Sequence, residues 1–350
     1  MASPGEPLLS VVLPVGDVEH YLPACLDSIL AQPGPAGGVE VIAVDDASRD
    51  ASGAVLDARA AHDPRLRVIH LSDRAGPGPA RARGLAAAGG RYVWFVDPDD
   101  LVAPAALMAV GDRLAAARPD VLMLDYRVLR PSGRTAVSPG ASLLIAEDSA
   151  AAGPPGGVDA VTLRDRPDLI NRTMTVWSKV FRRPFLAGLG VTFPPGVHED
   201  VPVSAAALLS AERIATLAEV CYLYRQREGS FLATPSAAHF SVFTSYERVF
   251  TLMDAAAEPY PAAVRTAVFQ RAIEHYSSIL ASGLVPAAAR REYFARMAAD
   301  FQRYRPPGYR AASGARGVKT ALISNDAYWA YALLAPLNGA RVALRRLLGR

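Results

Sequence analysis

The sequence predicts an α/β protein: a mainly parallel, Rossmann-like sheet flanked by helices, followed by a helical region. Three observations lead to this prediction. Apolar runs typical of buried parallel strands alternate with segments of helical periodicity up to about residue 130. Alternating strands and helices form right-handed crossovers, which lay the strands parallel in one sheet. Beyond about residue 237, helical periodicity continues without strand-like runs.

The predicted elements follow one another in a regular order. Short apolar runs predict strands at 8–15, 39–46, 66–71, 91–97 and 120–129. Apolar residues at helical spacing predict helices between them, at 18–32, 51–62, 79–89 and 104–117. Gly, Pro, Ala and Ser dominate 131–160, which predicts a loop or an insertion. A turn at 194–200 is expected to lead into a helix, and a strand is expected from about 213.

The change of periodicity predicts two domains. We expect the first at 1–236, with one half at about 8–130 and the other at about 160–236. The second, at 237–350, is a helical region whose apolar faces predict self-association or docking. Its end, 340–350, is basic and amphipathic, which indicates a peripheral contact with a membrane surface.

Composition excludes several classes of protein. The chain has 37 Lys and Arg against 34 Asp and Glu, a balance that argues against nucleic-acid binding. Its two cysteines, Cys25 and Cys221, form neither a disulfide framework nor a zinc-binding pattern. The first residues lack a signal-peptide pattern, and no apolar run is long enough to cross a bilayer. We therefore expect a cytoplasmic protein, in contact at most with the inner face of the membrane.

Carboxylates follow the predicted strands where each strand ends. Asp17 follows the first strand, Asp46 ends the second, and Asp97, Asp99 and Asp100 end the fourth. Ligands bind beyond the carboxyl ends of the strands in such sheets, so these residues are expected at one edge. Close carboxylates repel and raise each other's pKa, which a hard cation such as Mg²⁺ or Mn²⁺ would relieve. The alternative is a solvated turn in which Asp caps a helix.

Two segments of the first half suggest nucleotide contacts. Asp46, at the end of a buried strand, is placed to accept a hydrogen bond from a base or a ribose, or else to cap the next helix. The glycine-rich turn at 75–84 enters a helix that carries Arg81, which suits a diphosphate. An ordinary loop is the alternative for that turn, because it has neither of the usual phosphate-loop spacings.

The second half contributes a carboxylate pair and an arginine pair. Glu199 and Asp200 stand at a predicted helix start, where the helix dipole favours the ionised form of a general base; helix capping is the alternative. Arg225 and Arg227 follow a predicted strand and are placed to hold phosphates. A solvated arginine pair is the alternative for them.

Taken in order, these segments resemble the family 2 glycosyltransferases, inverting sugar transferases with the A-type fold. The resemblance is continuous over about 8–130 and continues in separate motifs over 173–232. The segments that carry it are "SVVLPVGDVEHYLPACLDSILAQ", "VEVIAVDDASRDAS", "GPARARGLAAAGGRYVWFVDPDD", "TVWSKVFRR", "HEDV" and "YRQREGS". They are similar to the family's opening strand and helix, its Val-Asp-Asp-Gly-Ser segment, its Ala-Arg-Asn helix with the Asp-x-Asp-Asp motif, and its acceptor half.

The resemblance implies roles on the donor side. Asp46 matches the aspartate that contacts the base, and Arg81 matches an arginine near the nucleotide. The Asp-x-Asp pair is Asp97 and Asp99, of which Asp99 is expected to hold the metal with Asp97 close by. Further donor contacts are expected at Pro14, Val15, Asp17, Arg225 and Arg227. The family's usual Tyr-Asn after Pro14 and Val15 is Gly-Asp here, which leaves recognition of the base open.

The resemblance also implies roles on the acceptor side. Asp200 matches the catalytic base, and Glu199 is its acidic neighbour. Trp177, Lys179 and His198 fall in the acceptor motifs, with Ser beside Trp177 where the family commonly has Asn.

The implied activity is transfer of a sugar, with inversion, from a nucleotide diphosphate donor to a hydroxyl. UDP is the expected nucleotide, and a glycan or a cell-wall polyol phosphate such as teichoic acid is the expected acceptor. A divalent cation as cofactor and a homo-oligomer are further expectations. Binding of nucleic acid is not expected. One alternative is a nucleotidyltransferase of similar fold, but it needs a basic glycine-rich loop where this chain has "PVGDVEHY". Another is a catalytically silent sugar-nucleotide binder or scaffold.

Overall fold

The computed structural model describes residues 6–137, 160–172, 174–194, 196–226, 234–311 and 313–333. The chain divides into two compact units, Met1–Glu228 and Gly229–Arg350. The carboxylates singled out above all lie in the first unit.

The first unit begins with strands and helices in alternation, as predicted. The strands are β1 (Leu9–Val15), β2 (Val39–Asp45), β3 (Leu66–His70) and β4 (Tyr92–Phe95), and the helices between them are α1 (Leu22–Leu30), α2 (Ser52–Ala60) and α3 (Pro77–Ala87). These strands are parallel and lie in the order β3-β2-β1-β4. Most of their residues are buried, because helices cover such a sheet on both faces. The predicted α/β class is confirmed.

The rest of the first unit extends the same sheet with mixed strand directions. Its elements are β5 (Leu101–Val102), α4 (Ala106–Ala117), β6 (Val121–Leu129), β7 (Thr135–Val137), a 3-10 turn (Pro167–Asn171), β8 (Lys179–Arg182), α5 (Arg183–Gly188), α6 (Asp200–Ser210) and β9 (Ile214–Arg225). The order continues β4-β8-β6-β9-β5, with β7 paired to β6. Strand β8 runs antiparallel to both β4 and β6, whereas β9 runs parallel to β6. The strands predicted at 120–129 and from 213 are therefore present, with β8 inserted between β4 and β6.

Helix α3 packs directly on β1 because Gly84 leaves room for the strand. A Cβ at that position would overlap the side chain of Val12. This close approach brings the first turns of α3 to the carboxyl end of the sheet, beside the turn that follows β4.

The second unit is helical, and this confirms the helical region expected from the sequence. Its elements are a 3-10 turn (Ala237–Phe240), α7 (Ser241–Asp254), α8 (Ala262–Ala281), a 3-10 turn (Ala287–Ala289), α9 (Arg290–Tyr304) and α10 (Gly314–Ser324). Aromatic rings from three helices meet in its core, with Phe243 4.5 Å from Tyr276 and 4.7 Å from Tyr293 between ring centroids. None of the helices in the described part of the chain is long and apolar enough to cross a membrane. The basic segment 340–350 lies outside the described residues.

Candidate active site

The turn after β4 separates the three carboxylates into different environments. Asp100 is 1% exposed and accepts hydrogen bonds from the Tyr222 hydroxyl at 2.7 Å and from the Arg225 backbone N–H at 2.6 Å. Burial raises its pKa well above the usual value, and the charges of Asp99 and Asp97 add to that effect. Asp100 therefore ties the turn to β9 and faces the protein interior.

The other two carboxylates lie nearer to solvent. The side chain of Asp97 is 24% exposed, and its backbone N–H donates to the Tyr222 hydroxyl at 3.1 Å. Burial raises the pKa of Asp97, the guanidinium of Arg81 lowers it, and the negative charge of Asp99 raises it. Asp99 is half-buried, and its carbonyl oxygen accepts a hydrogen bond from Arg225. These two carboxylates are the expected metal pair.

Arg81 lies between the carboxylates of the two halves. It is 5% exposed; its guanidinium donates to Asp97 at 2.6 Å and also to Glu199. Its Nε has no hydrogen-bond partner among the described residues. Although burial opposes its charge, the carboxylates of Asp97 and Glu199 raise its pKa further above the usual value. The arginine predicted near the nucleotide is thus the link between the β4 turn and the start of α6.

The start of α6 carries the predicted base. His198 has a positive φ of 63°, and this turn of the backbone brings Glu199, 7% exposed, to face Arg81. Asp200 follows and is half-buried. Burial and the charge of Glu199 raise its pKa to about 7, against the lowering effects of Arg81 and Lys179. At this helix start, desolvation therefore outweighs the helix dipole that was expected to favour the ionised form.

The loops after β1 and β2 carry the residues that were predicted to contact the nucleotide base. Pro14 and Val15 are buried at the end of β1. Asp46 accepts backbone hydrogen bonds from Ala75 at 2.7 Å and from Gly76 at 2.8 Å, one on each carboxylate oxygen. The glycine-rich turn at 75–84 therefore closes onto Asp46, and this is a role that the sequence did not reveal.

Arg74 is a residue of this edge that sequence reasoning missed. Its guanidinium forms an ion pair with Asp17, which has a positive φ of 52° and also accepts from the Arg49 backbone N–H at 2.8 Å. Arg74 lies 3.4 Å from the position that a Cβ on Gly16 would occupy. The sequence contained two signals for this role. Arg74 stands directly before the glycine-rich turn, and position 16 has Gly in place of the aromatic residue that is usual in the family that the sequence resembles.

Arg225 lies beside the turn that carries Asp99. Its Nε donates to the Asp99 carbonyl at 2.8 Å, and its guanidinium lies 5.4 Å from the centre of the Tyr21 ring. Arg227 lies outside the described residues.

Two of the predicted acceptor residues are buried. Trp177 is 5% exposed and stacks on Tyr222 with ring centroids 4.6 Å apart. Lys179 has no exposed surface, and its Nζ donates to the Thr175 carbonyl at 2.9 Å and to the Ser178 hydroxyl at 3.2 Å. Both lie behind the site, and Lys179 is near enough to Asp200 to lower its pKa. Neither side chain is exposed for direct contact with a ligand, whereas His198 is half-buried.

One edge of the sheet therefore holds two groups of carboxylates, and the buried guanidinium of Arg81 links them. The residues that meet there are Arg81, Asp97, Asp99, Glu199, Asp200 and Arg225. In the described part of the chain, no three His, Cys, Asp or Glu side chains converge as metal ligands. The edge provides hard oxygen ligands on one side and a carboxylate that titrates near neutrality on the other.

The family model and two relatives that match this chain are described as glycosyltransferases. Residues 10–137 match the family model described as Glycosyl transferase family 2. The uncharacterized glycosyltransferase EpsJ of Bacillus subtilis is 29% identical over 240 residues, which are 65% of this chain and 64% of EpsJ. The poly(ribitol-phosphate) beta-glucosyltransferase of Bacillus spizizenii is 25% identical over 254 residues, 71% of this chain and 37% of that protein. The chain thus spans less than two thirds of the length of both relatives.

Among solved structures, the fold is similar to that of S. aureus TarS 1-349 in complex with UDP-GlcNAc. The TM-score is 0.64 at 22% sequence identity, and the alignment covers 85% of this chain and 81% of the other.

Proposed function

We propose that this chain, which contains a glycosyl transferase family 2 domain at residues 10–137, transfers a sugar from a nucleotide diphosphate to a hydroxyl group. The observation that carries the proposal is the bridge from Asp97 through Arg81 to Glu199, beside Asp200. It brings the carboxylates of Asp97 and Asp99, proposed to bind a cation, and the Asp200 carboxylate, whose pKa is raised to about 7, to one edge of the sheet. A transferase of this class needs both: a site for the diphosphate and a base for the acceptor.

The donor is proposed to be a UDP-sugar. The complex of S. aureus TarS with UDP-GlcNAc supports this choice through the shared fold. The uracil base of the donor would lie at the edge formed by Val15, Asp17 and Asp46, with Arg74 beside it. Arg225 would add positive charge next to the diphosphate, because its guanidinium is held at Asp99.

A divalent cation, Mn²⁺ or Mg²⁺, fits the two accessible carboxylates. Asp97 and Asp99 offer the hard oxygen ligands that such ions prefer, and a bound cation would favour the ionised form of Asp97, whose pKa is raised by burial and, to a smaller extent, by the charge of Asp99. Two protein carboxylates suffice where substrate phosphates supply further ligands, as is usual for Mg²⁺. When bound, the cation would neutralise charge on the leaving diphosphate.

Asp200 is proposed to act as the general base. The acceptor oxygen would form a bond to the anomeric carbon while the bond from that carbon to the diphosphate oxygen breaks. Asp200 would take the hydroxyl proton, and the electron pair of the broken bond would leave with the nucleotide diphosphate. Its pKa of about 7 suits this step, because general bases work best when their pKa lies near the working pH. Attack from the side opposite the leaving group would invert the anomeric centre.

The acceptor is proposed to be a glycan or a polyol phosphate of the cell wall. The similarity to the poly(ribitol-phosphate) beta-glucosyltransferase supports this class. The helical region from residue 237 is proposed to serve self-association or docking, and its basic end at 340–350 is proposed to make a peripheral contact with the inner face of the membrane. Trp177 and Lys179 would support the site from behind, since both are buried.

A donor panel tests the proposal. The full chain is incubated with Mn²⁺ and UDP-glucose, UDP-GlcNAc or GDP-mannose, and release of the free diphosphate is followed by mass spectrometry. We expect release from at least one UDP-sugar and its loss in Asp99→Asn. Asp112→Asn is the matched control, since Asp112 is exposed on α4. Absence of release from every donor, or full release by Asp99→Asn, would contradict the proposal.

A further inference from the structure

A cavity of about 740 Å³ lies at the edge of the sheet opposite the candidate active site. It is formed by the amino ends of β1 and β4, the carboxyl end of β8 and the last turn of α4. Its floor is apolar, with buried Leu8 and Leu114. Its remaining lining includes Arg91, Arg118 and Arg182, and we call this feature the arginine cavity.

Arg182 is held rigidly in the wall of the cavity. Its Nε and one terminal nitrogen donate to Oδ1 of Asp120, at 2.9 and 2.6 Å. The other oxygen of Asp120 accepts backbone N–H groups from Glu212 at 3.0 Å and from Arg213 at 3.1 Å. Asp120 balances one positive charge, and its hydrogen-bonding capacity is engaged by these four contacts.

Arg91 and Arg118 contribute charge that the protein does not balance. Both are exposed, and neither side chain has a hydrogen bond or ion pair to another residue in the part of the chain that the structure describes. Their backbones are fixed, because Arg91 N–H donates to Pro7 at 3.0 Å and Arg118 N–H donates to Leu114 at 3.0 Å. Glu6, which also lines the cavity, is paired with an arginine outside its lining, Arg183, at 3.1 Å. Two positive charges therefore face the cavity without a partner.

A tyrosine lines the cavity together with the three arginines. Tyr92 lines the cavity and is 6% exposed. Burial raises its pKa, and the charges of Arg91, Arg182 and Arg118 act in the opposite direction. Guanidinium groups bind phosphate oxygens in a forked geometry, and a tyrosine hydroxyl adds a further donor.

We propose that the arginine cavity binds phosphate groups of an anionic acceptor chain, as a second site remote from the reacting atoms. The proposal rests on the proposed function, which takes a polyol phosphate as acceptor. The arginines match its phosphates, and the apolar floor matches the carbon atoms between them. A concave site favours a flexible chain over the headgroups of a flat membrane surface.

The position of the cavity dictates how a chain would occupy it. Along β4, the path from Tyr92 to Asp97 measures roughly 17 Å at the usual rise per strand residue. The two sites therefore bind different repeats of one acceptor, and affinity increases with acceptor length once both are engaged.

Fluorescence anisotropy with a labelled ribitol-phosphate oligomer tests this proposal at low salt. We compare the wild-type chain with Arg91→Gln/Arg118→Gln and with Arg248→Gln/Arg291→Gln, a control pair of exposed arginines in the second unit. The cavity variant should raise the Kd about tenfold or more, because two charge-assisted contacts are lost. The control should stay within about twofold, the effect expected of a diffuse change in net charge.

Four results separate the possibilities. Equal oligomer binding by the cavity variant and the control overturns the proposal. Inorganic phosphate that binds the cavity as tightly as the oligomer also overturns it, in favour of a small-anion site. Loss of binding to phosphatidylglycerol vesicles with unchanged oligomer binding assigns the cavity to lipid instead. Donor hydrolysis, measured on the same samples, should be unchanged in the cavity variant. Absence of donor hydrolysis by the wild-type chain refutes the proposed function, while the oligomer-binding comparison still tests the arginine cavity by itself.

Discussion

Arg81 donates a hydrogen bond to Glu199, although 118 positions separate the two residues in the chain. The same guanidinium binds Asp97 at 2.6 Å. The first turns of α3, the turn after β4 and the start of α6 therefore share one buried charge network. A change in the protonation or position of one carboxylate must affect the other.

Replacement of Arg81 should destabilise the fold. Arg81→Met leaves two carboxylates without their buried cation, and breaking such a pair costs about 3–5 kcal/mol. The free energy of unfolding in urea measures this loss. Arg83→Gln is the control, since Arg83 is exposed on the same helix. If Arg81→Met costs less than about 1 kcal/mol, like an ordinary surface ion pair, the network has no structural role.

Asp99 and Asp100 should separate metal binding from stability. Asp99→Asn should weaken the binding of Mn²⁺ with UDP while the melting temperature stays near that of the wild type. Asp100→Ala should cost about 2–4 kcal/mol, because the Tyr222 hydroxyl and the Arg225 N–H lose their buried acceptor. Calorimetric titration and thermal unfolding measure the two effects. A stable Asp100→Ala, or unchanged titration of Asp99→Asn, would reverse these assignments.

Removal of the metal gives a complementary result on the wild-type chain. Exhaustive chelation should abolish turnover, and added Mn²⁺ or Mg²⁺ should restore it. Full activity after chelation would show that Asp97 and Asp99 act without a cation.

Gly84 should tolerate no side chain. In Gly84→Ala the new Cβ overlaps Val12 in β1, and such overpacking costs about 1–3 kcal/mol. Gly188→Ala is the matched control, because a Cβ at that helical position has no neighbour within 4 Å. Alanine also favours a helix over glycine by about 1 kcal/mol, so the control should be neutral or slightly stabilised. Equal stability of the two variants would mean that α3 moves away from the sheet at little cost.

The parallel half of the sheet was predictable because its physical signal is local. A strand buried on both faces reads as a mainly apolar run, and β1, β2 and β4 all do, with interruptions at Ser10, Glu40 and Asp45. Strand β8 carries "KVFR", with a charged residue at each end, so no run identifies it. Its pairing with β4 and β6 depends on contacts between distant segments, which residue patterns do not encode.

The residue types of the candidate site could be predicted from the sequence, but the burial of each side chain could not. Asp97, Asp99 and Asp100 look alike in sequence, but burial against Tyr222 distinguishes Asp100 from the other two. Lys179 looks like an exposed acceptor ligand, yet it has no exposed surface. Desolvation is a property of the assembled fold, and this is why the raised pKa of Asp200 could not be predicted from its position at a helix start.

The pH dependence of transfer should report on Asp200. Its pKa is about 7 and the base acts as a carboxylate, so kcat should rise with pH up to about 7 and then level off. Because this pKa exceeds the unfolded value of 3.8, the folded state holds the proton more tightly. Ionisation of Asp200 therefore lowers the free energy of unfolding as pH rises from about 4 to about 7. A pH–rate profile that is flat from about two units below that pKa to about one unit above it would contradict the assignment.

The variants Asp200→Asn and Glu199→Gln should identify which carboxylate is the base. Asn nearly preserves the shape of Asp but accepts no proton, so Asp200→Asn should keep donor affinity while transfer falls about 10²–10⁴-fold. Glu199→Gln should cost less and should move the acidic limb of the pH–rate profile to lower pH, because the charge of Glu199 raises the pKa of Asp200. Donor binding by calorimetry and transfer rates across pH measure both effects. If Glu199→Gln is the more damaging change while Asp200→Asn remains active, the base is Glu199 and Asp200 only tunes its surroundings. An unchanged acidic limb in an active Glu199→Gln would instead mean that the charge of Glu199 does not set the pKa of Asp200.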